Sequence, residues 1–223
     1  MSFFIKASKP EDWKLQLAEP DKHWKDGYSA KELAYCWMNA GGFPISVKTV
    51  FNKSKYGAFD KLQFLAGFVE YKVPLPGGGH PSQNDILVLA RNERHLTVIA
   101  VEGKVSESFG ETVGEWLKTA SKGKEKRLNY LSKLLKVDLF DAKEIRYQLV
   151  HRVASALIVA EKFKAMTALM LVHSFSPNHE WFEDYANFAR LFGIKAKVNS
   201  THFARKIGNI DLYLAWVSEK NFS

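Results

Sequence analysis

The chain has 223 residues, 46% of them hydrophobic, enough apolar mass to bury a substantial core in one compact domain. Its single cysteine, Cys36, excludes an internal disulfide, and no stretch approaches the roughly 20 consecutive apolar residues that span a bilayer. The formal charge of +8 favours an anionic partner such as nucleic acid, and the opening MSFFIKASKP lacks the apolar core of a signal peptide, so a cytoplasmic location with no membrane partner is expected.

Residues 1–28 mix charge with Trp13, Trp24 and Tyr28 without a clean period, which predicts irregular chain with one short helix. Ser29 and Glu32 stand at capping-box spacing, and Leu33, Cys36 and Trp37 share a helical face that ends at Gly41-Gly42. Pro44 suits the first turn of another helix, with Val47, Val50 and Phe51 inward and Gly57 as a break. AFDKLQFLAGF (58–68) sets Phe59, Leu62, Leu65 and Ala66 at helical spacing, predicting a third helix. The period then changes to two. VEYKVPL (69–75) alternates like a strand, and PLPGGGHPSQN (74–84) is a loop.

DILVLAR (85–91) and LTVIAVEGKV (96–105) are β-rich runs joined by the polar NERH, an antiparallel hairpin. Two short helices follow between Glu111 and Leu135, broken near Ser121–Gly123. Asp141 and Glu144 repeat the cap spacing before a long helix over 142–162. MTALMLVHSF (166–175) is a nearly continuous apolar run of strand length, covered on both faces. Ser176-Pro177 opens a helix to Leu191 that stops at Gly193, and NIDLYLAWVS (209–218) is the last strand. Trp181, Tyr185, Phe188 and Phe192 recur at helical spacing, which reads as core packing ahead of a platform for stacking bases. No repeat or low-complexity tract interrupts the chain, and division falls at 1–57, an N-terminal helical extension, and 58–223, the main unit.

Cross-strand partners in an antiparallel hairpin keep a constant sum of residue numbers. A turn at NERH pairs 92 with 95, which places Asp85 opposite Glu102, and partners point to one face of the sheet. Lys104 shares that face, whereas Gly103 points away. Two carboxylates and an amine thus gather at the edge of a layer made by Leu87, Leu89, Ala100 and Val98, where desolvation is costly without compensation. Two readings fit this patch. One is a hard divalent cation, Mg²⁺ above all or Mn²⁺, held by Asp85, Glu102 and the backbone carbonyl of Gly103, with Lys104 serving an attacking water. The other is a plain salt bridge of Lys104 with Glu102 at a wet strand end.

Asp85 followed seventeen residues later by Glu102-Gly103-Lys104, between these strands, resembles the PD-(D/E)XK nuclease superfamily. The order of helix 58–68, strands 69–75, 85–91 and 96–105, helix 142–162 and strand 166–174 looks like that superfamily's core. VPLPGGGHPSQND, VEGKVSESFGETVGEWL and IRYQLVHRVASA are similar to a bacterial family of uncharacterised proteins placed within it. One departure is Asn84, which stands where a proline would precede Asp85. The resemblance implies an α/β (α+β) fold, a restriction-endonuclease-like mixed sheet flanked by helices. It further implies phosphodiester hydrolysis of nucleic acid, DNA first, with Asp85 and Glu102 on metal and Lys104 at the water. Some members of this fold have lost catalysis, so a silent domain that binds nucleic acid or protein is the alternative.

Several residues extend this set. Glu70 is either a further acid for the site or an exposed strand residue, and Gln83 projects toward the site or caps the turn. By the resemblance one or more of Arg146, Gln148 and Arg152, on the long helix, reach the site or a phosphate. Between 118 and 136, Lys118, Lys122, Lys124, Lys126, Arg127, Lys133 and Lys136 stand against Glu125 alone, a local charge of +6 that meets a nucleic-acid backbone or is a solvated face. The histidines lack ligand spacing for zinc, and Gly77–Gly79 lacks the lysine and hydroxyl residue of a phosphate loop. A homodimer is compatible with all of this.

Overall fold

The computed structural model describes residues 8–17, 19–119 and 121–219; the leading MSFFIKA, expected to carry no signal segment, lies outside them. The chain is α+β. A 3₁₀ helix at Pro10–Gln16 leads into α1 (Pro20–His23), α2 (Ser29–Ala40) and α3 (Ile45–Asn52). Strands β1 (Gln63–Val73), β2 (Ser82–Arg91) and β3 (Leu96–Lys104) follow, then helices α4 (Val113–Leu117), α5 (Lys122–Leu135) and α6 (Tyr147–Lys162). The chain finishes with β4 (Thr167–Ser174), α7 (Phe182–Arg190), β5 (Ser200–Ile207) and β6 (Ile210–Ser218). One mixed six-stranded sheet runs in the order β1-β2-β3-β4-β6-β5, with β4 parallel to both β3 and β6 and the other pairs antiparallel.

The sheet separates two apolar layers. On one face Leu87, Val98, Ala100, Met170 and Trp216 pack under α5, α6 and α7. On the other, Ile86, Ile99, Val101 and Leu171 meet Trp13, Leu33, Trp37 and Val47 from the N-terminal segments. β4 is buried throughout, as a near-continuous apolar run predicts for a central strand with both faces covered. Tyr185 and Phe188 of α7 are buried, with Trp181 and Phe192 packed at their edge. The β2–β3 register pairs Ile86 with Val101 and Arg91 with Leu96, the constant sum expected from the NERH turn.

Several elements differ from expectation, each for a local reason. Residues 58–68 are not a helix: a 3₁₀ turn at Gly57–Phe59 leads directly into β1, which pairs with β2 from Gln63 onward. A bulge between Phe64 and Ala66 breaks the alternation of two, so the apolar spacing there imitates a helix, while Leu65 is 49% exposed. Ser29 and Glu32 form no capping box; the Ser29 N–H donates to Glu107 and Glu32 accepts from Gly27 instead. α6 begins at Tyr147, not 142, because Arg146 is extended and bridged to Thr112, with Val113 N–H donating to Ile145 O and Tyr147 N–H to Glu111 O. α7 starts at Phe182 after His179 and Trp181 adopt left-handed backbone, and Trp181 Nε1 donates to Ser106 O at 2.8 Å. β5, STHFARKI, has no sequence signal, being a half-exposed polar edge strand.

Gly103 sits where β3 meets α2. A Cβ there would meet Leu33 Cγ at 2.8 Å and Ser29 Cβ at 3.1 Å, so only glycine lets the helix approach this closely. Gly103→Ala should therefore destabilise the fold by about 1–3 kcal/mol, and should cost clearly less in a Leu33→Ala background, where the clashing side chain is gone. Denaturant midpoints of the two variants and the double variant test this.

Candidate functional site

The β2–β3 ladder ends at Ile86 and Val101, and past it the Asp85 side chain takes over, its Oδ2 accepting the Gly103 N–H at 2.7 Å. N–H and C=O of one strand residue point to the same side. The Gly103 carbonyl is therefore aimed toward the Asp85 side, while the next carbonyl, of Lys104, accepts from Phe175 beyond β4. Glu102 and Lys104 alternate onto the opposite face from Gly103, the α6 side. There Lys104 Nζ donates to Glu102 Oε1 at 2.8 Å and Arg152 Nε, from α6, donates to Oε2 at 2.5 Å. Arg152 Nη1 continues to Ser82 Oγ at 3.2 Å. Glu102, Lys104 and Arg152 are 2%, 3% and 6% exposed.

Glu70 lies in β1 with left-handed backbone (φ 51°), rare for a residue with a side chain. Phe68, Tyr71 and Val73 all join the α6-side layer, so the strand alternation slips by one at Glu70. The Gln83 amide donates to the Glu70 carboxylate. Glu70, Gln83, Asp85, Glu102, Lys104, Gln148 and Arg152 together line one cleft of about 460 Å³. Its opposite wall comes from the N-terminal segments and the loop after β3: Leu17, Lys22, His23, Tyr28, Ser29, Ala30, Glu107 and Ser108.

Every expected catalytic residue thus meets in one place. Gly103 supports the cleft through its backbone. The expected phosphate contacts fare differently. Arg152 is buried against Glu102, Arg146 bonds Asp184 at 2.8 Å and the Gly110 carbonyl, and the Arg127 guanidinium is bound to the carbonyls of Pro76, Gly78 and His80. Lys122 and Lys126 are exposed on α5, whereas Lys124 Nζ bonds Trp116 O and Thr119. Lys22, His23, Tyr28 and Glu107 were not expected in the cleft, and only the tertiary fold brings them there. Arg152 did carry a signal as a neighbour of the acids: it lies four residues after Gln148, on the same helical face.

Burial pushes Glu70 up to about 7, the Gln83 bond and Arg152 opposing and Glu102 adding to the rise. Burial also drives Asp85 well above the usual carboxylate range, helped by the negative charges of Glu102 and Glu70. Burial disfavours the Glu102 anion too, but Arg152 and Lys104 outweigh it and hold that carboxyl low. Across the cleft burial disfavours the Glu107 anion as well, but hydrogen bonds from Ser29 and from the Val105 N–H hold its carboxyl low. The cleft therefore contains two carboxylates held ionised, Glu102 and Glu107, and two reluctant ones, Glu70 and Asp85, an arrangement that a cation would relieve.

A second polar cluster lies on the other face of the sheet. Ligand atoms of Cys36, His173 and Glu219 fall within 4.8 Å of one another, the only such three-residue group among the described residues. Trp37 Nε1–H donates to His173 Nδ1 at 3.1 Å, which leaves the ring proton on Nε2, where it donates to Glu219 Oε2 at 3.1 Å. A metal would need that same Nε2 lone pair, so the tautomer marks a hydrogen-bond network, completed by Ser46 on Glu219, that ties α2 and α3 to the ends of β4 and β6.

A family described as Domain of unknown function (DUF6946) matches the chain over residues 6–221. No curated protein and no solved structure matches it. Among the described residues no helix is long and apolar enough to cross a membrane.

The pKa directions set a stability test. A carboxyl raised on folding favours the native state while protonated, and that contribution is lost as pH rises through its folded pKa. Asp85→Asn keeps an oxygen for the Gly103 N–H and removes the reluctant charge. The metal-free variant should be more stable than the parent, by a margin that grows from pH 5 to pH 8, as read from paired denaturation curves.

Proposed function

The chain belongs to the DUF6946 family, and with the cleft as warrant we propose that it hydrolyses phosphodiester bonds in nucleic acid, DNA above all, at a PD-(D/E)XK-type site. The observation that carries this reading is the convergence of Asp85, Glu102 and Lys104 on one cleft wall, with Glu70, Gln83 and Gln148 beside them. The donor set fits Mg²⁺ or Mn²⁺: two carboxylates and a backbone carbonyl are hard oxygen ligands, and such ions keep several waters of their own. Asp85, Glu102 and Gly103 would hold the ion. When bound it would supply charge neutralisation at the phosphoryl group and a more acidic water.

The chain's own residues carry the rest. Lys104 Nζ, tied to Glu102 and 4.8 Å from the Phe109 ring centroid, is held where it can orient a water or balance charge growing on phosphate oxygens. Arg152 keeps Glu102 ionised and fixed in orientation. Gln83 and Gln148 offer neutral hydrogen bonds that do not compete for charge. Exposed Lys122 and Lys126 on α5 present cations to an approaching backbone.

A second reading, a catalytically silent domain that binds nucleic acid or a protein, is favoured by one fact: Lys104 and Arg152 occupy both oxygens of Glu102. Cleavage of plasmid and single-stranded DNA separates the two. Activity should need Mg²⁺ or Mn²⁺, vanish in chelator, and drop roughly 10²–10⁴-fold in Asp85→Ala and Lys104→Ala. Retained DNA binding without cleavage or metal affinity in the parent protein selects the silent domain.

A further inference from the structure

We infer that the cavity beneath the Gly77–Gly79 loop is a separate phosphate-binding site. It encloses about 370 Å³, within the range of small-ligand pockets, and its walls include Arg127, Lys124, His80 and His151 but no carboxylate.

Arg127 supplies the main argument. It is 8% exposed, and among the described residues no carboxylate pairs with it; three loop carbonyls accept from its guanidinium instead. Carbonyl dipoles satisfy hydrogen bonds without neutralising a full charge, and buried charges in folded proteins are normally paired. Lys124, on the same wall, likewise bonds only a carbonyl and a hydroxyl. Two cations bordering a cavity without a counter-ion define an anion's place.

His151 adds directionality. Its Nδ1 accepts from Arg152 Nη1 at 3.3 Å and lies 2.7 Å from Ser82 Oγ; because arginine can only donate, the ring proton is on Nε2. Burial, with Arg152 and Arg127 nearby, keeps this ring neutral, so it offers an N–H rather than a third charge. Trp116 and Tyr147 stack on each other at 4.2 Å, with Lys124 Nζ 5.0 Å from the Trp116 ring centroid and His151 in edge contact with Tyr147, so these rings are already engaged with one another. Cationic and neutral donors on several walls, with the two rings already stacked on each other, suit a tetrahedral oxyanion, and phosphate is the class that fits. Gly77 and Gly123 hold the walls together, since a Cβ on either would run into the other's carbonyl oxygen.

The site does not depend on hydrolysis in the neighbouring cleft, from which Ser82, His151 and Arg152 separate it. Gly78 provides the test. It has left-handed backbone (φ 74°) and open space around it, so Asp and Asn fit equally and differ only in charge. Inorganic phosphate is titrated calorimetrically into the full chain in chelator. Binding to the parent and to Gly78→Asn, weakened on the order of tenfold or more in Gly78→Asp, is the expected result. No binding to the parent, or equal affinity in all three, overturns the site. Competition then identifies the source: a 5′-phosphorylated oligonucleotide that displaces phosphate where its unphosphorylated twin does not indicates a strand end. Displacement by both indicates a backbone phosphodiester, and displacement by neither a small phosphate ester, each on a site already established by the charge pair.

Discussion

Glu102 is the pivot of this structure. A carboxylate 2% exposed at the end of a central strand survives as an anion only because Lys104, two residues on, and Arg152, fifty residues on, close on its two oxygens. Removing one partner from such a buried group costs on the order of 3–5 kcal/mol, whereas the intact set adds little net stability over an apolar replacement. Its presence is therefore better explained by position than by stability. The pair locks α6 to β3 in one register and places the remaining polar groups of that helix, Gln148 among them, over the same cleft.

The cleft exists because the sheet stops pairing there. β2 and β3 part company at Ile86 and Val101, and in the gap backbone groups that would have met each other meet the Asp85 side chain instead. The neighbouring strand adds Glu70 through a left-handed residue that slips its alternation, a costly backbone state of about 1–3 kcal/mol that persists where the surroundings enforce it. The N-terminal segments cover the other face of the sheet and also supply one wall of the cleft, so the same contacts that bury Leu33 against Gly103 bring Tyr28 and Ser29 to the site.

The two polar centres on opposite faces illustrate how protonation separates like-looking clusters. Around His173 each polar group has a partner, with Trp37 fixing the tautomer and Glu219 accepting from the His173 ring and from Ser46. Around Asp85 and Glu70 the charges do not match: each accepts from a neutral donor, Gly103 N–H and the Gln83 amide, and burial raises both carboxyls. Satisfied networks hold elements together, and unsatisfied ones invite a ligand.

Much of this was legible in the residues. The hairpin register followed from the NERH turn because pairing sums are constant, and the buried central strand from its unbroken apolar run, since both signals are local. Asp85, Glu102 and Lys104 on one face came from the same arithmetic. What the sequence left open was decided by contacts between distant segments. The bulge in β1 disguised a strand as a helix, and β5 took strand form only because β6 offered an edge. Arg152 and Arg127 were readable as cations, but not as one spent on a carboxylate and the other bound, among the described residues, to loop carbonyls rather than to a carboxylate. Charge type is written in a residue; which partner neutralises it depends on what the fold brings within a few ångströms, and only the tertiary structure determines that.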